Sequence, residues 1–233
     1  MVNRLGTKTY EEIQNIKRAC ILGDQAFRYA LKKIKIGVSE KELAIEIKRF
    51  IKRHGVNISF KPIVAFGENS ANVHNKPGLR TLRANEIIMI DLGAKVNGFC
   101  SDMTRTIFFG KATNKYKQIY KIVKIAQSKA VNYIKDTPKP KAKDIDKAAR
   151  DYIISKGYDT IPHSLGHGVG KKVHTSPRIS SKSKSILNPP VVFTIEPGIY
   201  IKGFGGIRIE DTYLLDEKGL IQLSKSTKEL IEI

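Results

Sequence analysis

Apolar residues at Ile13, Ile16, Cys20 and Phe27 recur on one side of a helix, and the spacing predicts a long helix from about Tyr10 to Ile34, closed by Gly37. Thr9-Tyr-Glu-Glu12 in front of it has the form of a capping box. Ser39-Glu-Lys-Glu42 is a second such box and opens a helix that runs to about Gly55. The period then changes. Asn57 to Ala65 reads as a strand, residues 66–83 as a loop, and residues 86–110 as two alternating apolar runs on either side of Asn97-Gly98. An Asn-Gly pair in that setting is the strongest short hairpin signal. With those residues as the turn, Val96 faces Phe99 and Asp91 faces Thr104, so Asp102 becomes the same-face diagonal neighbour of Asp91.

The order of elements then repeats. Residues 113–136 are helical in pattern, TPKPKAK breaks the pattern, and residues 143–156 form a further helix that stops at Gly157. The segments KELAIEIKRFIKRHG and KDIDKAARDYIISKG match in spacing at an offset of 102 residues, through Lys41 and Lys143, Ile51 and Ile153, and Gly55 and Gly157. Gly203, Gly205 and Gly206 read as a turn between later strands. The expected fold class is α+β, built as two pseudo-symmetric halves at about 1–110 and 111–233. Each sheet is covered by its own helices, and a site built from both halves lies between them.

Composition narrows the function classes. The chain has 233 residues, 41% of them hydrophobic, enough for one sizeable domain or two small ones. Its first residues, MVNRLGTKTYEEIQN, do not resemble a signal peptide, and no apolar run is long enough to span a membrane. Two cysteines, Cys20 and Cys100, are too few for a disulfide framework, so a reducing cytoplasm is the expected location. Lysine and arginine number 42 against 22 acidic residues, a net charge of +20. That charge admits contact with nucleic acid or a ribosome. The lysines are spread along the chain without a nucleic-acid motif, which favours an ordinary lysine-rich surface. Walker, dinucleotide-binding and HExxH signatures are absent.

The candidate chemistry lies in four segments: IDLGAKVNGFCSD, SLGHGVG, FTIEPGIY and IRIEDTYLL. Asp91, Asp102, His167, Glu196 and Glu210 stand there beside strongly apolar runs, where carboxylates are costly unless paired or coordinated. Four carboxylates and one imidazole form a hard ligand set suited to two divalent cations, manganese, cobalt or iron(II) rather than a structural zinc. Such a pair acidifies water and polarises a carbonyl, which is the chemistry of amide or ester hydrolysis. His163, His167 and His174 fall within twelve residues, interrupted by glycines, and His74 lies in the loop ANVHNKPG. His74, His163 and His174 are candidates for substrate hydrogen bonds and proton transfer. Arg208 precedes Glu210 by two and faces the same side of a strand, as an orienter of carboxylates would. His54, at a helix end, reads as structural.

Taken together, these motifs resemble the pita-bread metallopeptidases, the family of methionine aminopeptidase, aminopeptidase P and prolidase, over nearly the whole chain. The resemblance implies that Asp91 binds one metal ion, that Asp102 and Glu210 bridge two, and that His167 and Glu196 complete one shell. By the same resemblance Glu196 is also the acid/base, and His74 and His174 are substrate contacts. The extra His163 in HSLGHGVG, and Arg208 in FTIEPGIYIKGFGGIRIEDTYLL, are similar to the Xaa-Pro branch. The implied activity is an aminopeptidase of the Xaa-Pro type acting on peptides, with Mn2+ or Co2+ foremost and Fe2+ or Zn2+ as alternatives. A methionine aminopeptidase is the second reading and a non-catalytic binding protein the third. A homodimer is compatible with the family. Xaa-Pro enzymes usually carry a further N-terminal creatinase-type domain, and this chain is expected to lack it. Thr175, Lys171-Lys172 and Asn188-Pro-Pro-Val depart from the family pattern, and altered specificity is the expected consequence.

Overall fold

The computed structural model describes residues 6–233. Both capping boxes form. The Thr9 hydroxyl accepts from the Glu12 amide while the Thr9 amide donates to the Glu12 carboxylate, and Ser39 and Glu42 repeat the exchange. They open helices α1 (Tyr10–Leu31) and α2 (Glu40–Arg53). Helix α1 ends short of the predicted Ile34. Its exit tightens into three-residue turns, Lys32 donating to Tyr29 O and Lys33 to Ala30 O. Gly37 then donates to Leu82 O, and Leu82 donates to Val38 O, so tertiary bonds draw the chain off the helix axis.

The strand predicted over 57–65 is two strands in different sheets. β1 (Asn57–Ile58) pairs with β4 (Ala94–Val96), and β2 (Ile63–Phe66) pairs with β3 (Glu86–Leu92). Pro62, which has no amide hydrogen to give a ladder, lies in the break. The predicted loop over 66–83 contains a short 3-10 helix, Gly67–Ala71. The hairpin continues through β5 (Phe99–Cys100) and β6 (Met103–Phe109) with Val96 opposite Phe99 and Asp91 opposite Thr104, as the Asn-Gly placement predicts. Asn97 and Gly98 both have positive φ, 48° and 83°, which a type I′ turn requires.

Helices α3 (Asn114–Asp136) and α4 (Ala142–Ser155) follow. The remaining strands are β7 (Gly166–Gly168), β8 (Thr175–Ile179), β9 (Val191–Ile195), β10 (Gly198–Ile201), β11 (Gly205–Arg208), β12 (Asp211–Asp216) and β13 (Gly219–Gln222). Like α2, α4 has 14 residues, and Ile51 and Ile153 are fully buried at matching turns. Phe27, Leu43 and Ile47 pack α1 and α2 on the three-stranded sheet β2-β3-β6. Val123, Ile145, Phe193 and Tyr213 join α3 and α4 to the five-stranded sheet β13-β12-β9-β7-β8. Fully burying one such side chain stabilises the fold by roughly 1.5–3 kcal/mol. Among the described residues no helix is long and apolar enough to cross a membrane.

The first sheet is stitched along β6 to the segment entering β12. Thr106 Oγ1 donates to Arg208 O at 2.9 Å and accepts from Arg208 N at 3.1 Å. The Glu210 amide donates to Thr104 O, and Thr212 Oγ1 donates to Asp102 O at 2.7 Å. This seam sets the acids of the hairpin beside Glu210.

Candidate metal centre

Each candidate ligand stands in or at the end of a strand. Asp91 is in β3, Asp102 precedes β6, His167 is in β7, Glu196 follows β9, and Glu210 lies between β11 and β12. The β9–β12 ladder pairs Asp211 with Ile195, and beyond it the chains part. The Glu196 amide donates to Leu165 O and the Glu210 amide to Thr104 O, so the two glutamates splay around one point. The structure brings all five side chains together. Donor atoms of Asp91, Asp102 and Glu210 lie within 4.8 Å of one another, as do those of His167, Glu196 and Glu210 and those of Asp102, His167 and His174. Asp102, His167 and Glu210 each belong to two of these groups.

The electrostatics are those of anions forced together out of water. Burial, with Glu210 and Asp91 next, holds Asp102 well above the usual carboxylate range, and burial with Glu196 and Asp91 does the same to Glu210. Burial raises Asp91 too, against the pull of Arg208. Glu196 differs: burial opposes its charge, but the hydrogen bond and charge of His167, with His163 and Arg208 beyond, bring its pKa below the usual value. His167 is raised by Glu196 despite its burial.

Arg208 Nη2 donates to Asp91 Oδ2 at 2.8 Å, Nε to Thr104 Oγ1 at 3.0 Å, and Nη1 to the Tyr200 hydroxyl at 3.1 Å. Thr104 Oγ1 passes its own hydrogen to Glu210 Oε2 at 2.7 Å. One buried guanidinium therefore aligns acids from both strand systems. His163 Nδ1 donates to Ser164 O at 2.8 Å, which leaves Nε2 to accept from the Tyr200 hydroxyl at 2.8 Å. Both ring nitrogens of His163 are thus occupied, and Nδ1 stands 4.0 Å from Glu196 Oε2. Burial lowers the His163 pKa and raises that of Tyr200 to about 12, so the phenol keeps its proton. His174 packs edge-on against His167, ring centroids 4.2 Å apart, and burial lowers its pKa. His74, His163, His174 and Arg208 line one pocket of about 690 Å3 with the five candidate ligands. His54 stays outside it, bonded to Phe50 O at 2.9 Å.

Residues with no individual signal in the sequence complete the site. Thr104 was placed only as the partner of Asp91, and Tyr200 not at all, although it lies in the segment that carries Glu196. Phe60, Ile63 and Val73 form an apolar wall. Phe60 and Ile63 flank Pro62 where β1 gives way to β2, and Val73 lies in the loop that follows β2.

A model of metallopeptidase family M24 matches residues 14–217. This chain belongs to family M24. An uncharacterized peptidase of Staphylococcus epidermidis is 44% identical over 95% of the chain, and the Xaa-Pro dipeptidase of Pyrococcus furiosus is 42% identical over 96%. A solved Xaa-Pro dipeptidase from Bacillus anthracis superposes on 99% of the chain with a TM-score of 0.94 and 40% identity. The architecture is the pita-bread fold of this M24 branch. The chain spans 63% and 64% of the length of those two curated relatives, and 64% of the solved one.

The M24 metallopeptidases use divalent metals, and the residues present here fit them. A carbonyl only accepts, so His167 Nδ1 carries its proton toward Gly168 O at 3.1 Å, and Nε2 is the ring atom left to meet a cation. Nε2 stands 3.3 Å from Glu196 Oε1 and 3.5 Å from Asp102 Oδ2, so the imidazole and two carboxylates converge there. Asp91 Oδ1 is buried with no hydrogen-bond partner. Acceptors pointed at one another in a dry site are what cations relieve.

Proposed function

We propose that this M24 chain is a dinuclear metal-dependent exopeptidase that hydrolyses the amino-terminal peptide bond of Xaa-Pro substrates. The observation that carries the reading is the linked set His163, Tyr200 and Arg208 on the wall beside the five ligands, which adds the Xaa-Pro histidine and arginine to a hydrolytic centre. The names of the relatives from Pyrococcus furiosus and Bacillus anthracis support it. Asp91, Asp102, His167, Glu196 and Glu210 would hold two ions, with manganese or cobalt the proposed occupants. When bound, the ions supply Lewis acidity toward the scissile carbonyl and lower the pKa of water beside it.

The protein's own groups do the rest. Glu196, kept ionised by His167, accepts a proton from the attacking water and returns it to the departing nitrogen as the C–N bond breaks. Arg208 holds Asp91 and, through Thr104, Glu210. His163 fixes the direction of the Tyr200 hydroxyl. His74 and His174, on the pocket wall, would donate to substrate carbonyls, and the apolar Phe60, Ile63 and Val73 would receive the side chain ahead of the scissile bond. The chain acts as one catalytic domain of two related halves, residues 1–110 and 111–233. Both cysteines are free and buried, which supports a reducing, cytoplasmic location.

Hydrolysis of matched Xaa-Pro and Met-Ala peptides by manganese- or cobalt-loaded protein tests the reading, with Glu196→Ala as control. Cleavage before proline that disappears in the control is expected. Release of methionine alone moves the chain to the methionine aminopeptidase reading. No cleavage with any metal overturns the enzymatic one.

A further inference from the structure

Glu40 is a buried carboxylate outside the ligand pocket, at the first turn of α2, with 1% of its surface exposed. A buried anion is tolerated only when its lone pairs are filled. Here they are filled from one stretch of chain. Oε1 accepts from the Phe66 amide at 2.9 Å and from Asn69 Nδ2 at 2.9 Å. Oε2 accepts from the Gly78 amide at 3.1 Å and from Asn75 Nδ2 at 3.3 Å. The two oxygens thus grip both ends of the loop over 66–78. The backbone of α2 adds to this, because the Lys41 amide donates to Gly78 O and the Glu40 amide to Arg80 O.

The gripped loop carries part of the pocket. His74 and Val73 line it, and Arg208 Nη1 reaches Val73 O at 3.4 Å. On the loop's other side, Ser70 Oγ accepts from the Gly206 amide at 2.7 Å. Asn75, next to His74, is doubly held, since its Nδ2 also donates to Val64 O at 2.9 Å. His74 itself is exposed, and among the described residues its one side-chain-mediated bond is the 3.3 Å donation of its amide to Asn72 Oδ1. Its place over the pocket is therefore set by the loop around it, in which Phe66, Asn69, Asn75 and Gly78 share Glu40 as acceptor.

We propose that Glu40 is a positioning residue for the active site: it closes the 66–78 loop and so aims His74 at the bound peptide. The proposal rests on the peptidase reading for the role of His74, and not for the loop. Its test is a double-mutant cycle on the metal-loaded full chain, with Glu40→Gln, His74→Ala and the pair, assayed on an Xaa-Pro peptide. Amide hydrogen exchange and metal content are followed in parallel. Glu40→Gln keeps the shape of the side chain but sets an NH2 group among four donors. The expected result is a fall in kcat/KM of between about tenfold and a hundredfold, with metal content unchanged. In the His74→Ala background the same change has little further effect. Protection is lost at the Phe66 and Gly78 amides and kept in the β3–β6 hairpin. An equal loss of kcat/KM in both backgrounds overturns the proposal, because Glu40 would then act without His74. If the wild-type chain cleaves no peptide, the peptidase reading falls and exchange decides alone. Unchanged protection over 66–78 in Glu40→Gln overturns the loop-closing role, and selective loss upholds it.

Discussion

Asp102 and Glu210 show what the sequence conveys about single residues and what it leaves out. Their identity and neighbourhood were legible, since carboxylates beside runs such as EIIMI and VVFTI need a partner. Their protonation depends on distances that exist only after folding. In the metal-free protein both carry pKa values well above their ordinary 3.8 and 4.5, and Asp91 is raised as well. The folded state then binds more protons than the unfolded one above about pH 4, so this group of acids costs stability as pH rises from there toward neutrality. Cations that neutralise the acids remove that cost. Thermal melting of chelator-treated protein is expected to fall as pH rises through that window, and the metal-loaded protein to gain most over it near neutral pH. Parallel curves with and without manganese would refute this. His163 adds a different lesson. Three clustered histidines announced a site, but which nitrogens are free was decided by Ser164 O and the Tyr200 hydroxyl.

At the scale of elements, local rules carried far where the partner lay close in sequence. Both capping boxes and the Asn97-Gly98 turn formed as read, because each is closed within a few residues. The rules failed where a distant segment intervened. Helix α1 is drawn off its axis by Leu82, and the strand over 57–65 is divided between β4 and β3. Gly205 and Gly206 also changed meaning. They read as turn residues, yet they lie in β11, where a Cβ on Gly206 would stand 2.2 Å from Ser70 O. Their function is close approach of the strand to the turn at Gly67–Ala71. Gly206→Ala is expected to destabilise the protein by about 1–3 kcal/mol, measured by urea unfolding, with pocket function impaired since that turn begins the loop carrying His74. A neutral effect would show that the turn yields without cost.

Across the whole molecule, one buried ion pair ties the periphery to the site. Arg105 Nη2 contacts Asp211 Oδ1 at 2.6 Å, with side chains 1% and 0% exposed. The same guanidinium donates to Glu210 O at 2.5 Å and to the carbonyls of Ser226 and Thr227. Gln127 of α3 donates to Asp211 Oδ2 at 3.0 Å and to Ile195 O at 3.1 Å, next to Glu196. Arg105→Met leaves Asp211 buried with only Lys228, 3.4 Å away, as a cationic partner. A loss of about 3–5 kcal/mol is expected in chemical denaturation, since breaking a buried pair strands the remaining charge. Pairing it with Asp211→Leu is expected to recover part of that loss. Full stability of the single variant would show that the network contributes little.

The sequence by itself determined the α+β class, the helix starts, the hairpin register that sets Asp91 against Thr104, and the identity of the four acids and one histidine that could hold metal. These rest on periodicity, capping and turn chemistry, which act over a few residues. The tertiary structure alone decided which ring nitrogens of His163 and His167 are taken up by backbone carbonyls, that Tyr200 and Thr104 join the site, and that Glu40 grips the loop of His74. Those outcomes need groups from distant parts of the chain to meet in a space without water. There a lone pair must find a donor or a cation, and only the folded arrangement says which one it finds.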